Sequence, residues 1–414
     1  MLASLSSNRI FIPFFLVSIF IGFSALWYSE FLISVSSVVA GLLAIVTFKS
    51  SFNTDYKTIV YSVLGLLLLA VIDFAIHIEG FVASAKLLLV LGLVFILIAG
   101  FNVFAKATSK QLVGLLMAIS IVVLLVNVIA VVGYLNDKEF YDEMLLQSKS
   151  IPIPHMHHIH FGIINAFVII AIAGIIVLNK IQGVYKTSMA TVGVLILICF
   201  HILSSRTGLV AFYSGSIVSL LVYANQYKSI KTLSIGLIAI IVLGAGSFFL
   251  STSLQNKVAN SLEDIRSWGK GDEVNHKSMG MRIESYKNCI AIIAENPLGV
   301  GAEMQHQIQQ DMYEKRFTVL DLENRKGPHN QMLEYGVKYG WFGILLFIYF
   351  ITQLIVLLPK THFAYWGIVT VFIVALQFES LLERQASIYF CMVFLPLLFY
   401  IFRTQKNYGT GMTE

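Results

Sequence analysis

The sequence predicts an all-α, polytopic membrane protein of about twelve transmembrane helices, and three observations predict it. Of 414 residues, 57% are hydrophobic and 12% charged, with a mean hydropathy of +0.80. That is too little charge to cover the surface of a soluble protein of this length. Apolar runs of about the 20 residues that cross a hydrocarbon core recur along the chain. The basic residues between them alternate in a way that sets an orientation.

The runs begin near residues 10, 31, 58, 84, 111, 161, 187, 208, 231, 339, 363 and 386. The first, "IFIPFFLVSIFIGFSALWY", lacks a small-residue cleavage site and is followed by many similar runs, so it reads as an uncleaved span rather than a signal peptide. Placing the N-terminus in the cytoplasm leaves Arg9, Lys49, Lys57, Lys106, Lys110, Lys180, Lys186, Lys228, Lys231, Lys360, Arg403 and Lys406 on the cytoplasmic side. The short loops opposite hold Lys86, Lys138, Lys149, Arg206 and Arg384. Every cytoplasmic loop is then basic, so both termini are expected there. The 31 Phe and 18 Tyr suit a lipid-facing surface with interfacial aromatics. The net charge of +5 is dispersed without a basic cluster, which argues against a nucleic-acid partner. Cys199, Cys289 and Cys391 imply neither a structural disulfide nor a metal site.

Residues 1–414 therefore read as one integral membrane domain with two external elaborations. The shorter is "NDKEFYDEMLLQSKSIPIPHMHHIH". The longer, residues 251–338, holds 11 Lys+Arg against 12 Asp+Glu, so an anion site in it has to come from particular arginines. Within it, "MRIESYKNCIAIIAENP" spaces Ile283, Tyr286, Ile290 and Ile293 as one face of an amphipathic helix that stops at the proline. Arg282 stands at its start, where free amides would favour an anion. The last three runs follow this loop.

Few residues carry chemistry. Arg206, in "HILSSRTGLVAF", sits in a very short external turn, either lining a cavity or pathway, or else snorkelling to the interface or pairing structurally. In "GPHNQMLEYGVKYG", Pro328 fits a first helical position and puts His329 in the first turn, where the helix end favours a neutral, base-competent imidazole. Gly336 and Gly340 have the spacing for close helix contact. "HMHHIH" clusters His155, His157, His158 and His160; no acidic residue or cysteine joins them at ligand spacing, and a polar cavity lining is the simpler reading. Glu379, Glu383 and Arg384 share the last external turn and either pair structurally or support Arg206 and Arg282. No phosphate loop or dinucleotide fingerprint is present.

The ordered series "SSRTG", a pair of spans, "GMRIESYKNCIAIIAENPLGVG" and "HNQMLEYGVKYGWFGILLF" resembles the O-antigen ligase and polymerase family of bacterial membrane glycosyltransferases over roughly residues 190–350. The resemblance implies a lipid-dependent glycosyltransferase in the inner membrane, its active site facing the periplasm and 251–338 forming a periplasmic loop. It further implies a glycan donor on undecaprenyl diphosphate and transfer to lipid A-core, with no cofactor and no metal. Matched by motif, Arg206 and Arg282 are expected to hold the donor diphosphate and His329 to stand at the reaction centre. Polymerisation of O-antigen or glycosylation of protein shares these motifs. A transporter or flippase would be expected to show two related halves, whereas this chain has one late external loop.

Overall fold

The computed structural model describes residues 11–48, 56–78, 80–146, 150–270, 275 and 277–404. Arg9, Lys49, Lys149 and Lys406, which entered the charge count, lie outside them, as do residues 271–274 and 276 of the long loop. The described chain is helical almost throughout, with two isolated bridges, Ile153 to Met156 and Thr361 to Arg403. Apolar helices fall at each of the predicted runs: α1 Phe11–Ser24, α2 Glu30–Phe48, α3 Lys57–Ile76, α4 Phe81–Phe104 and α5 Ser109–Asn136 in the first part. After the short polar helix α6, Lys138–Leu146, come α7 His158–Val177, α8 Gly183–Leu203, α9 Arg206–Tyr227 and α10 Ile230–Leu250. The long loop is itself helical: α11 Thr252–Lys270, α12 Ser278–Glu295 and α13 Gly301–Lys315. The chain ends on α14 Gln331–Leu357, α15 Phe363–Phe378 and α16 Gln385–Phe402. Among the described residues nine helices are long and apolar enough to cross a membrane; α1, α2 and α15 offer shorter apolar stretches.

Helices in lipid associate through close contact rather than through burial from water, so small residues mark the tight crossings. Gly162 of α7 faces Gly208 of α9 so closely that a Cβ on Gly208 would come within 2.8 Å of the Gly162 Cα. On the same helix a Cβ at Gly215 would reach the Gly367 carbonyl of α15 at 2.6 Å. These crossings clamp α9 between α7 and α15 and thereby fix Arg206, its first residue. Polar pairs inside the bundle are satisfied across helices: Asn127 Nδ2 donates to Asn165 Oδ1 at 2.6 Å, and the Ser36 and Tyr389 hydroxyls pair at 2.6 Å. By contrast α10 buries none of its side chains and packs on α9 and α11 at the edge.

One end of the bundle is tied by α15 and α16, where His362 N–H donates to the Phe402 carbonyl and Thr404 N–H to the Lys360 carbonyl, both at 2.9 Å. The opposite end gathers the starts of α7, α9, α14 and α16, the end of α15, and α11 to α13. The loop docks there through paired caps. Asp73 at the end of α3 accepts the Ala302 N–H at 3.0 Å, and Glu303 of α13 accepts the Ala83 N–H at 3.0 Å, which satisfies the starts of α13 and α4.

Gly340 is where α14 breaks, at φ 61° and ψ −148°. The loop after α12 enters the gap: Trp341 N–H donates to the Pro297 carbonyl at 3.0 Å, and Val300 N–H to the Val337 carbonyl at 2.9 Å. A Cβ on Gly340 would collide with the Pro297 carbonyl, and one on Gly336 would meet Ile293 at 2.6 Å. Both glycines thus allow close contact, as their spacing predicts, but Gly340 does so by interrupting the helix.

Candidate active site

Arg206 follows a reversal of only two residues. Ser204 ends α8 in the left-handed region, at φ 50°, and its hydroxyl donates to the His201 carbonyl at 2.6 Å. The Arg206 guanidinium is half-buried, and its Nη1 donates to Ser261 Oγ on α11 at 2.9 Å. One turn back on α11, buried Lys257 donates from Nζ to the Leu203 carbonyl at 3.0 Å and the Ser204 carbonyl at 2.8 Å. Lys257, Ser261 and Asp264 line one face of α11 at helical spacing, a pattern present in the sequence but not singled out there.

Two expectations about α12 need correction. One of its first-turn amides is already taken, since Asp264 Oδ2 accepts the Met279 N–H at 3.3 Å. Its buried face matches the predicted stripe only in part: Ile293 is buried and Ile283 and Tyr286 are half-buried, but Ile290 is 58% exposed and Ser285, Cys289 and Ile292 are buried instead. The face is turned because the helix packs on α13 and α14, with Met312 and Val337. The predicted stop does stand, since α12 ends at Glu295. Arg282 points at the end of α15, where its Nη1 donates to the Phe378 carbonyl at 2.5 Å. Tyr286 Oη and Asn330 Nδ2 both donate to the neighbouring Gln377 carbonyl at 3.1 Å. Three side chains from α12 and α14 therefore cap α15, and Glu379 follows directly.

His329 is placed differently from the prediction. The helix starts at Gln331, with Asn330 as its cap and the Asn330 side chain accepting the Leu333 N–H at 3.1 Å. An asparagine oxygen satisfies an orphan amide that Pro328 could not, so the start shifts by three residues. His329 thus precedes the cap and has a positive φ of 45°, an uncommon conformation for a residue with a Cβ. Its Nδ1 lies 3.3 Å from Glu379 Oε2, the imidazole 37% exposed and the carboxylate 7%. Burial alone would raise the Glu379 carboxyl. The hydrogen bond and charge of His329, with help from His160 and Arg282, outweigh it and hold the group down at about 2.

The other three groups named from sequence separate. Glu383 lies apart from Arg206 and Arg282, paired with Lys86 at 2.6 Å and with buried Lys338, which also meets Glu334 at 2.9 Å. Burial would raise its carboxyl, but the two lysines prevail and lower it. This pairing is the structural alternative left open for Glu383. Arg384 is exposed at the mouth, within electrostatic reach of His157 and His160. In the histidine tract the rings of His157 and His158 lie 4.3 Å apart and those of His157 and His160 5.5 Å, while His155 is exposed. His160 Nδ1 pairs with Ser387 Oγ at 3.0 Å, and its buried Nε2 has no partner among the described residues. Among the described residues no group of three or more His, Cys, Asp and Glu side chains is placed to hold a metal ion. A cavity of about 450 Å³ lies elsewhere, between α3, residues 298–301 and α14, lined by Asp73, His77 and Lys338 but by none of Arg206, Arg282 or His329.

Arg206 of α9, Arg282 of α12, His329 of the loop before α14 and Glu379 at the end of α15 thus share one end of the bundle. Arg206 is within electrostatic reach of Arg282, and Glu379 of both Arg282 and His160. Cations there outnumber carboxylates, a distribution that suits an anionic group beside a base. No curated protein matches the chain. Residues 191–348 match the Wzy_C family model, described as O-antigen ligase, a stretch that holds Arg206, Arg282 and His329 but not Glu379. Through that segment the chain is similar to the O-antigen ligase family, whose model implies a glycosyltransferase-like enzyme class.

Proposed function

We propose that the protein transfers a glycan from undecaprenyl diphosphate to a sugar hydroxyl of lipid A-core at the periplasmic face of the inner membrane. The observation that carries this reading is the convergence of two arginines with a histidine–carboxylate pair at the end of the bundle where the long loop docks. Arg206 and Arg282 make charge-assisted contacts to the donor diphosphate and balance the charge that grows on the leaving oxygen. In its neutral form, with Nδ1–H donated to Glu379, the His329 imidazole keeps Nε2 free to accept the proton of the acceptor hydroxyl. That oxygen attacks the anomeric carbon, the bond from this carbon to the diphosphate breaks, and undecaprenyl diphosphate leaves with both electrons of the bond. Glu379 then stabilises the imidazolium. Because the arginines supply positive charge to the phosphates, transfer is expected to persist in excess chelator.

The test is transfer by purified protein in proteoliposomes, with a glycan-loaded undecaprenyl diphosphate and lipid A-core as the sole acceptor. Glycan on lipid A-core supports the reading. Extension of one lipid-linked glycan by another, with none on lipid A-core, would replace it with polymerisation. Translocation without transfer would remove it from the enzyme class.

A further inference from the structure

The turn between α8 and α9 holds a cation that the arginine and histidine assignments leave unused. The last carbonyls of a helix have no partner within it. At the end of α8 the Leu203 and Ser204 carbonyls are both taken by Lys257 Nζ, at 3.0 and 2.8 Å. Lys257 is 3% exposed. Among the described residues no carboxylate is within ion-pair distance of it, and Asp264, on the same face of α11, is engaged with the Met279 amide. Its charge is offset in part by the negative end of α8. Beside it stands a second cation, since Arg206 is held by Ser261, whose hydroxyl donates to the Lys257 carbonyl at 2.8 Å. Two neighbouring cations, one of them buried, form a costly arrangement that an incoming dianion relieves.

We infer that Lys257 is a positioning residue for the donor diphosphate: it fixes the turn that aims Arg206 and adds the charge that completes the anion seat. The inference rests on the reading of Arg206 as a diphosphate ligand. The state of the ammonium agrees with it. Burial first, and the Arg206 charge second, bring the Lys257 ammonium down to about 7, so it is poised to be strengthened by an anion close by. The lysine belongs to α11 of the external loop, whereas Arg206 begins a helix of the bundle, so the seat joins the two parts.

The test is equilibrium binding of undecaprenyl diphosphate, with inorganic pyrophosphate as a headgroup probe, to full-length protein in detergent. The variants are Arg206→Ala, Lys257→Gln and Lys257→Arg. Gln retains a donor for the two carbonyls while removing the charge, and the unfolding midpoint without ligand checks that the turn survives. Lys257→Gln is expected to weaken binding of both probes by roughly tenfold to a hundredfold, the range for one charge-assisted contact, and Lys257→Arg to restore most of it. Wild-type affinity in folded Lys257→Gln, with Arg206→Ala impaired, would overturn the role of Lys257 alone. If Lys257→Gln fails to fold, Lys257→Arg decides: a folded Arg variant with lost affinity overturns the inference, and retained affinity supports it. Wild-type affinity in Arg206→Ala would instead overturn the diphosphate reading beneath it.

Discussion

Glu379→Gln isolates the charge beside His329 from its shape. The amide is nearly isosteric, and its oxygen can still accept from Nδ1, so the 3.3 Å contact is expected to survive. What disappears is the negative charge that favours the imidazolium once the acceptor proton has moved. Surrounding cations hold the Glu379 carboxyl at about 2 against an ordinary 4.5 despite its burial. At 1.36 kcal/mol per unit, that is about 3 kcal/mol of net interaction with positive charge. His329 is the leading favourable cause, with His160 and Arg282 behind it. Losing one charge-assisted contact to the imidazolium, about 1.5–3 kcal/mol, predicts a fall of roughly tenfold to a hundredfold in single-turnover transfer. Donor binding should change little, because the loss is felt when the proton moves. The same carboxyl predicts a stability signature. Its folded value is depressed, so its contribution is complete above 4.5 and is lost as pH falls towards about 2. Glu379→Gln should flatten the acid limb of the unfolding profile in that window. The reasoning is refuted if the folded variant transfers within threefold of wild type, or if it loses donor affinity as severely as the arginine variants.

Arg206→Lys and Arg282→Lys should each bind undecaprenyl diphosphate poorly, because a point charge cannot replace the fork that meets Ser261 or the end of α15; full binding by either would remove that arginine from the site. His329→Ala should bind donor nearly as wild type while transfer falls by about two to four orders of magnitude, the range for a lost general base. Gly340→Ala should lower stability by about 2–4 kcal/mol, from a backbone conformation reserved for glycine and from displacement of the Pro297 carbonyl, read as a shift in detergent unfolding; a change under about 1 kcal/mol would mean the helix break is not needed. Single cysteines at residue 272 and near the C-terminus, placed in a background with Cys199, Cys289 and Cys391 replaced, should label from opposite sides of the membrane, and labelling from one side would overturn the orientation.

The helices were legible because a span needs about 20 apolar residues whatever it packs against, and each predicted run carries one. The loop motifs were legible as motifs, and their geometry was not, because it depends on partners far along the chain. Nothing near residue 329 announces Glu379, 50 residues later, and nothing near residue 282 announces the Phe378 carbonyl. Local rules also competed. Pro328 signals a helix start, but Asn330 can satisfy an orphan amide, and the asparagine wins. That competition has a functional consequence. A histidine inside the first turn would have its backbone fixed by the helix and its charge state set by the helix end. Ahead of the cap, at a positive φ, it is held instead by the end of α15, through Glu379. Asn330 and Arg282 bind that same end, so the proposed base and one proposed phosphate ligand share a single support. A shift of α15 would therefore move both together, whereas the Arg206 side chain is held by Ser261 of α11. The two supports also pack on each other, through Gly215 against the Gly367 carbonyl and through Asp264 on the Met279 amide, so two arginines sharing one diphosphate are expected to couple in a double-mutant cycle.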